Sequence, residues 1–357
     1  MTKERIQIGV IGAGMIAQVM HLPHLLEMEE QFEVTALCDI SVGTAMAVAR
    51  KFGIKNVTSD YRDLLEKFDI DAVLVLTRDH AKPAIAAACA GKHVFIEKPM
   101  CNNLEEADEL VDAVRSNNVV GMVAYHKRYD PGYRLGRQLI QALETPYLVR
   151  LHDVIGPNEF FLEHYDIIRI DDIDPVKKRD MDAEHMDSLR VAIGEQPPAV
   201  IRAYELMLGL STHDVTILHG ALGLPSHVIS TEIWADGTAY AAIMAYANGL
   251  RCVFDTGFIR GLRKFDETLT VYSSNKVVEI AFPSPFLKNA PTMVETWEMN
   301  GDVYVESHHL ASYEEAFKEE LRHFHACIVE GQTPETPVTE GREDIALLIQ
   351  MIQAYRP

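Results

Sequence analysis

The chain opens on short apolar runs that alternate with amphipathic stretches. Residues 6–11, 33–38 and 72–76 are strand-length runs, and the last is apolar at every position. A strand that is apolar on both faces belongs in a parallel sheet covered by helices on either side. Between these runs, helical spacing predicts helices over 15–28, 59–65 (capped by Ser59 or Asp60), 83–90 and 104–116. Two more strands are predicted at 94–96 and 119–124. This alternation predicts an α/β domain of the doubly wound type over 1–124.

Beyond residue 124 the rhythm changes. The runs 147–154, 228–234, 239–245, 250–256, 268–272 and 277–280 are separated by Gly, Asp or Asn turns, which predicts a large, mostly antiparallel open sheet. Phe317, Leu321, Phe324 and Ile328 share one face of a helix over 313–330, and 340–355 reads as a last helix. The second domain is therefore α+β, spans 125–339 and serves substrate binding and oligomerisation, with the helix at 340–356 available to pack back on the first domain. An open sheet face must be covered by helices or by another subunit, so a homodimer or homotetramer is expected. Residues 157–190 are polar and acidic and carry no assignable pattern; they are expected to be an insertion that shapes the substrate pocket.

Bulk properties narrow the partners. The 357 residues, 48% hydrophobic and 24% charged, suffice for two domains with a sizeable core. A net charge of −20, with Lys177-Lys178-Arg179 as the basic triplet, argues against nucleic acid. Neutral sugars and polyols impose no charge requirement. Five cysteines, an odd number with no Cys-x-x-Cys, fit a reducing compartment better than a disulfide scaffold. No signal-peptide pattern precedes the first strand and no apolar run reaches ~18 residues, so a cytoplasmic protein without a membrane partner is expected.

Candidate chemistry lies at the strand ends. The first strand runs into Gly12-Ala13-Gly14-Met15-Ile16-Ala17, a Gly-x-Gly-x-x-Ala loop that opens a helix. Gly12 permits the turn, Gly14 lets backbone approach a pyrophosphate, and Ala17 lets helix and strand pack closely. The free N–H groups of Met15 and Ile16 at the helix start then face the phosphates. Asp39 ends the second strand, where a carboxylate accepts hydrogen bonds from the adenosine ribose hydroxyls and repels a 2′-phosphate. With no cation before Arg50, NAD is expected rather than NADP. The strand at 94–96 empties into Glu97-Lys98-Pro99, and an ammonium at that edge could face the cofactor and polarise a substrate oxygen. A helix over 212–222 has Ser211 as a candidate cap and Asp214 to close a capping box, which would place His213 in the first turn as a neutral imidazole suited to a general base.

These pieces, together with His21-Leu22-Pro23, Gly91-Lys92-His93-Val94, Lys127-Arg128-Tyr129-Asp130-Pro131 and Leu222-Gly223, resemble the Gfo/Idh/MocA family (glucose–fructose oxidoreductase, inositol dehydrogenase, rhizopine catabolism) over nearly the whole chain. The resemblance implies a Rossmann domain followed by a mostly antiparallel sheet domain, NAD or NADP, and oxidation of a secondary hydroxyl of a sugar, glycoside or cyclitol. It implies that Lys98 binds the reacting oxygen and His213 acts as acid/base. It also implies that Thr77, His80 and Glu97 lie near the nicotinamide half, and that Tyr125, His126, Arg128 and Tyr129 line the substrate cleft; within the 152–190 segment, His152, Asp153 and His185 are candidates to contact substrate hydroxyls. Family members often carry an aspartate four residues before the histidine, where this chain has Gly209; Asp214, Asp153 and Glu205 are the candidates to replace it. The acids and histidines of 152–190, His185 among them, match no tight ligand spacing, and no metal is expected. A redox-neutral or glycoside-3-oxidising enzyme with tightly bound NAD, or a catalytically silent NAD-sensing regulatory protein, would use the same fold.

Overall fold

The computed structural model describes residues 5–356. Strands β1 (Ile6–Ile11), β2 (Phe32–Cys38), β3 (Asn56–Thr58), β4 (Ala72–Val75), β5 (His93–Glu97) and β6 (Gly121–Ala124) pair in parallel in the order β3-β2-β1-β4-β5-β6. Ile8, Val10, Val73, Leu74 and Phe95 are fully buried, as strands covered on both faces require. Burial of each such side chain is worth about 1.5–3 kcal/mol. The strand order reverses between β1 and β4, and in open α/β sheets ligands bind outside the carboxyl ends at such a point.

The second sheet runs β14-β13-β12-β11-β7-β10-β9-β8, with β7 (Pro146–Ile155), β8 (His227–Trp234), β9 (Ala239–Ala245), β10 (Arg251–Phe258), β11 (Asp266–Ser273), β12 (Lys276–Phe282), β13 (Met293–Asn300) and β14 (Val303–Leu310). Its neighbours are antiparallel except β7 and β10. β13 and β14 are not among the strands expected from the sequence. β14 is a sheet-edge strand, exposed or half-exposed along its whole length, and most of its apolar residues cluster at its start instead of alternating.

The helices, in chain order, are α1 (Leu22–Glu27), α2 (Val42–Phe52), α3 (Tyr61–Lys67), α4 (Ala81–Cys89), α5 (Leu104–Ser116), α6 (Pro131–Gln141), α7 (Glu159–Leu162), α8 (Pro175–Ile193), α9 (Pro198–Leu206), α10 (Thr212–Leu222), α11 (Ala316–Val329) and α12 (Val338–Gln353). Local chemistry sets several starts. Ser41 caps α2 by accepting from Thr44 N, Asp60 caps α3, and Asn103 caps α5 by accepting from Glu106 N. Asp130 and Pro131 do the same for α6.

Ser211 departs from its expected role. A π-turn at Met207–Ser211 joins α9 to α10, so the helical run begins at Pro198. Ser211 has helical dihedrals and makes no cap bond; its hydroxyl is buried against those of Tyr240 and Thr256. His213 therefore lies within a long helical run rather than in a first turn, and the positive helix end does not act on it.

The chain folds as two compact units: Met1–Tyr125 with Tyr165–Ala192 and Phe317–Glu343, and His126–His164 with Ile193–Ala316 and Asp344–Pro357. The first unit is thus discontinuous in sequence, unlike the simple division at residue 124. Residues 157–190, unassigned from sequence, contain α7 and most of α8. Charged residues interrupt the apolar spacing of α8, which hides its periodicity. The first turn of α12 packs against the first sheet, where Gly341 faces Met100 and Val123. No disulfide forms among the described residues, and no helix there is long and apolar enough to cross a membrane.

Candidate functional site

At the carboxyl edge of the first sheet lies a cavity of about 620 Å³. Gly12, Gly14, Asp39, Thr77 and His80 all line it. Gly12 has φ +108°, and a Cβ there would meet Leu76 O at 2.6 Å, so the turn requires glycine. A Cβ on Gly14 would meet nothing within 4 Å, which leaves open space beside the loop for a pyrophosphate. Asp39 is oriented by two backbone donors: Oδ2 accepts from Ala13 N at 2.7 Å and Oδ1 from Ser41 N at 2.8 Å. Met15 and Ile16 open the helix that follows. Loop, acid and helix together fit an adenine dinucleotide.

The Glu97-Lys98 pair sits at the end of β5. Glu97 is buried; its Oε1 accepts from His21 Nε2 at 2.8 Å and its Oε2 from Lys98 N at 3.0 Å. Burial alone would raise the Glu97 carboxyl, but the His21 hydrogen bond and the charges of His21 and Lys98 hold it below its ordinary value. Nearby, Glu320 of α11 is fully buried and lifted well above the carboxylate range, first by desolvation and then by Glu97. The charge of this pair therefore resides on Glu97. His80 is buried with Nδ1 2.6 Å from Pro99 O. A carbonyl only accepts, so Nδ1 carries the proton. Burial lowers the His80 pKa against the pull of Glu97, which keeps the ring neutral. Lys98 itself is half-buried.

Three groups at this edge have no place in the sequence reading. Asp79 Oδ1 accepts from Asn102 Nδ2 at 2.8 Å and lies 2.6 Å from His185 Nδ1; its Oδ2 accepts from Arg78 Nε at 3.1 Å. Burial opposes the charge on Asp79, yet the bonds from His185, Asn102 and Arg78 outweigh it and hold the carboxyl well below its usual range. His185, expected at a substrate pocket, instead lines the nucleotide cavity. Met181, His185, Ser188 and Leu189 of α8 are spaced i, i+4, i+7 and i+8, the one signal that could have marked this face.

The second unit holds His213, 8% exposed, with the His126 ring edge-on at 5.1 Å. His213 and Lys98 belong to different units. Tyr125 and Tyr129 are fully buried, and Tyr129 stacks under Arg134. Arg128 is buried and donates to Thr216 O of α10 at 3.1 Å, while Gly220 leaves room for its guanidinium. His152 and Asp153 are successive strand residues and point to opposite faces of β7. His152 Nδ1 lies 2.6 Å from Asp255 Oδ2 on the half-exposed face.

Asp153 faces inward, into a buried cluster with Asp214, Glu267 and Lys127. The three carboxylates each offer an oxygen within 4.8 Å of the others, a spacing that could hold a cation. Lys127 supplies one from within the protein by pairing with Glu267. Burial would lower the Lys127 pKa, but Glu267, Asp214 and Asp153 raise it, so the ammonium stays charged. Asp214 is raised well above its ordinary value by desolvation and then by Asp153 and Glu267, and it holds a proton in its hydrogen bond with Asp153. Two of the acids offered as partners for His213 thus bond to each other. Glu205 is exposed, and a Cβ on Gly209 would meet nothing within 4 Å.

A carboxyl raised in the fold keeps a proton that the unfolded chain loses, so its ionisation penalises folding increasingly as pH climbs above about 4. Asp214→Asn keeps the shape and removes the ionisation. Thermal unfolding should show little change near pH 4 and a gain on the order of 1 kcal/mol or more at pH 8. A loss of stability at pH 8 would mean that Asp214 is an ionised partner of Lys127 instead.

Comparison with known proteins places this arrangement. Residues 6–125 match the family model described as an oxidoreductase family with an NAD-binding Rossmann fold. The chain is 23% identical to myo-inositol 2-dehydrogenase of Thermotoga maritima over 359 residues, 96% of this chain and 93% of that protein. A levoglucosan dehydrogenase, solved with NADH and levoglucosan, superposes with a TM-score of 0.77 at 18% identity over 98% of this chain and 97% of that one. KijD10, a 3-ketoreductase from Actinomadura kijaniata solved with NADP, superposes with a TM-score of 0.74 at 18% identity over 99% and 98%. The whole chain thus shares its two-domain fold with these proteins, and residues 6–125 are an NAD-binding Rossmann domain of the Gfo/Idh/MocA family of oxidoreductases.

Proposed function

We propose that this protein is an NAD-dependent dehydrogenase that oxidises a secondary hydroxyl of a sugar, glycoside or cyclitol. The observation that carries this reading is Lys98 at the carboxyl end of β5, one strand from the switch point, on the sheet edge that carries the glycine loop and Asp39. The names of full-length relatives, an inositol dehydrogenase and a levoglucosan dehydrogenase, support the substrate class. Asp39 favours NAD. Asp172, whose carboxylate accepts from Gly43 N at 2.7 Å, adds a second negative charge two residues past the Ser41 backbone that Asp39 binds, where a 2′-phosphate would be repelled twice.

The glycine loop and Asp39 would hold NAD, which would supply the hydride acceptor for the carbinol carbon. His213 takes the hydroxyl proton, and the Lys98 ammonium stabilises the negative charge that develops on the oxygen. Glu97 fixes the backbone at Lys98 through its N–H. Arg128 and Tyr133 hold α10, which carries His213, by donating to Thr216 O and Ile217 O. Exposed Trp234, Ile243, Val303 and Tyr304 on the second sheet favour a homo-oligomer through that sheet.

The test is NAD and NADP reduction, followed at 340 nm, against inositols, aldoses and glycosides. Turnover with at least one polyhydroxy substrate and preference for NAD is the expected result. NADP preference would remove the role of Asp39, and NAD binding without turnover across the panel would favour a sensor.

A further inference from the structure

The segment left unassigned in the sequence is fastened across the nucleotide cavity at the end of one strand after another. Behind β1, Gln18 bonds both ways to Ile168, donating to its O and accepting from its N at 2.9 Å each. Beyond β2, Thr44 Oγ1 accepts from Ile170 N at 3.0 Å and Asp172 Oδ2 accepts from Gly43 N at 2.7 Å. Beyond β4, Arg78 donates to Asp182 at 2.6 Å and to Met181 O at 3.0 Å, and His185 lies on Asp79. Beyond β5, Asn103 and Glu106 both bond the Ser188 hydroxyl, at 2.9 and 2.7 Å. The seat is shaped to the segment: a Cβ on Gly43 would meet Asp172 Oδ2 at 2.8 Å and Ile170 Cγ2 at 2.9 Å. Between segment and loops the cavity stays open, with Ile173, Met181 and His185 on one side and Gly14, Asp39 and Thr77 on the other.

We propose that residues 165–188 are a strap that completes the nucleotide site and slows release of the dinucleotide after each turnover. The proposal rests on the NAD-binding reading above. Four sets of hydrogen bonds must open together for the strap to lift, and several involve charged groups, which form the stronger hydrogen bonds. A dinucleotide held beneath it leaves at the rate at which the strap opens.

The experiment is release of NADH. Protein loaded with NADH is gel-filtered, its bound nucleotide is quantified after acid release, and NADH fluorescence is followed on mixing with excess NAD. Wild type should keep its nucleotide through the column. Gly43→Ala, which pushes the strap from its seat, and Asp172→Ala, which removes the acceptor of the Gly43 latch, should release NADH about tenfold faster or more, the factor that corresponds to one strong contact. Amide hydrogen exchange across 165–188 should slow when NADH is added. Equal release rates in wild type and Asp172→Ala, with exchange in 165–188 unchanged by NADH, overturn the strap while leaving the dehydrogenase reading intact. Slower release from the variants means that the segment obstructs the site, and also overturns it. Failure of the wild type to bind NADH at all would instead sink the function on which the strap depends.

Discussion

Lys98→Met lowers turnover by about two orders of magnitude or more, with NADH binding retained, and His213→Ala does the same. Methionine keeps most of the lysine stem and removes the charge, so the loss measures the ammonium. The charge counts because a water-excluded site lets a fixed cation stabilise an oxyanion far more than bulk water would. Glu97, held ionised by His21, sits beside Lys98 and favours its protonated form. Turnover numbers from steady-state rates, with NADH fluorescence as the binding control, check both variants. Near-wild-type turnover in either one removes that residue from the chemistry.

Lys127→Met should destabilise the protein by about 3–5 kcal/mol, the usual effect of removing one partner from a buried ion pair. Lys127 and Glu267 are both at least 95% buried, and the loss would leave Glu267 unpaired beside two further carboxyls. The double variant Lys127→Met/Glu267→Gln should recover a good part of that loss, since no stranded charge remains. Urea unfolding of the two variants decides the matter. A single variant as stable as wild type would mean that water or protonation neutralises the cluster without the lysine.

What the sequence by itself determined is everything set within one turn of chain. The glycine loop between β1 and its helix, Asp39 at the next strand end and the Glu97-Lys98 corner are legible because their chemistry depends on a few consecutive residues, and the structure keeps them at one sheet edge. The caps at Asp60 and the bounds of α5 follow for the same reason. Ser211 shows the limit of local reasoning. It has the residue type and spacing of a cap, but Tyr240 and Thr256 claim its hydroxyl while the apolar face of α9 carries the helix through.

Only the tertiary structure decided that His152 and Asp153 serve opposite faces of β7, that Asp214 joins Asp153, Glu267 and Lys127, and that 165–188 spans the nucleotide cavity. These contacts join residues far apart in the chain, and each is selected by burial: a charge taken out of water must find a partner, and a polar segment laid on a sheet edge must satisfy that edge's free donors. Local pattern carries the residues that could meet such a demand, but which ones meet depends on how sheets and helices pack.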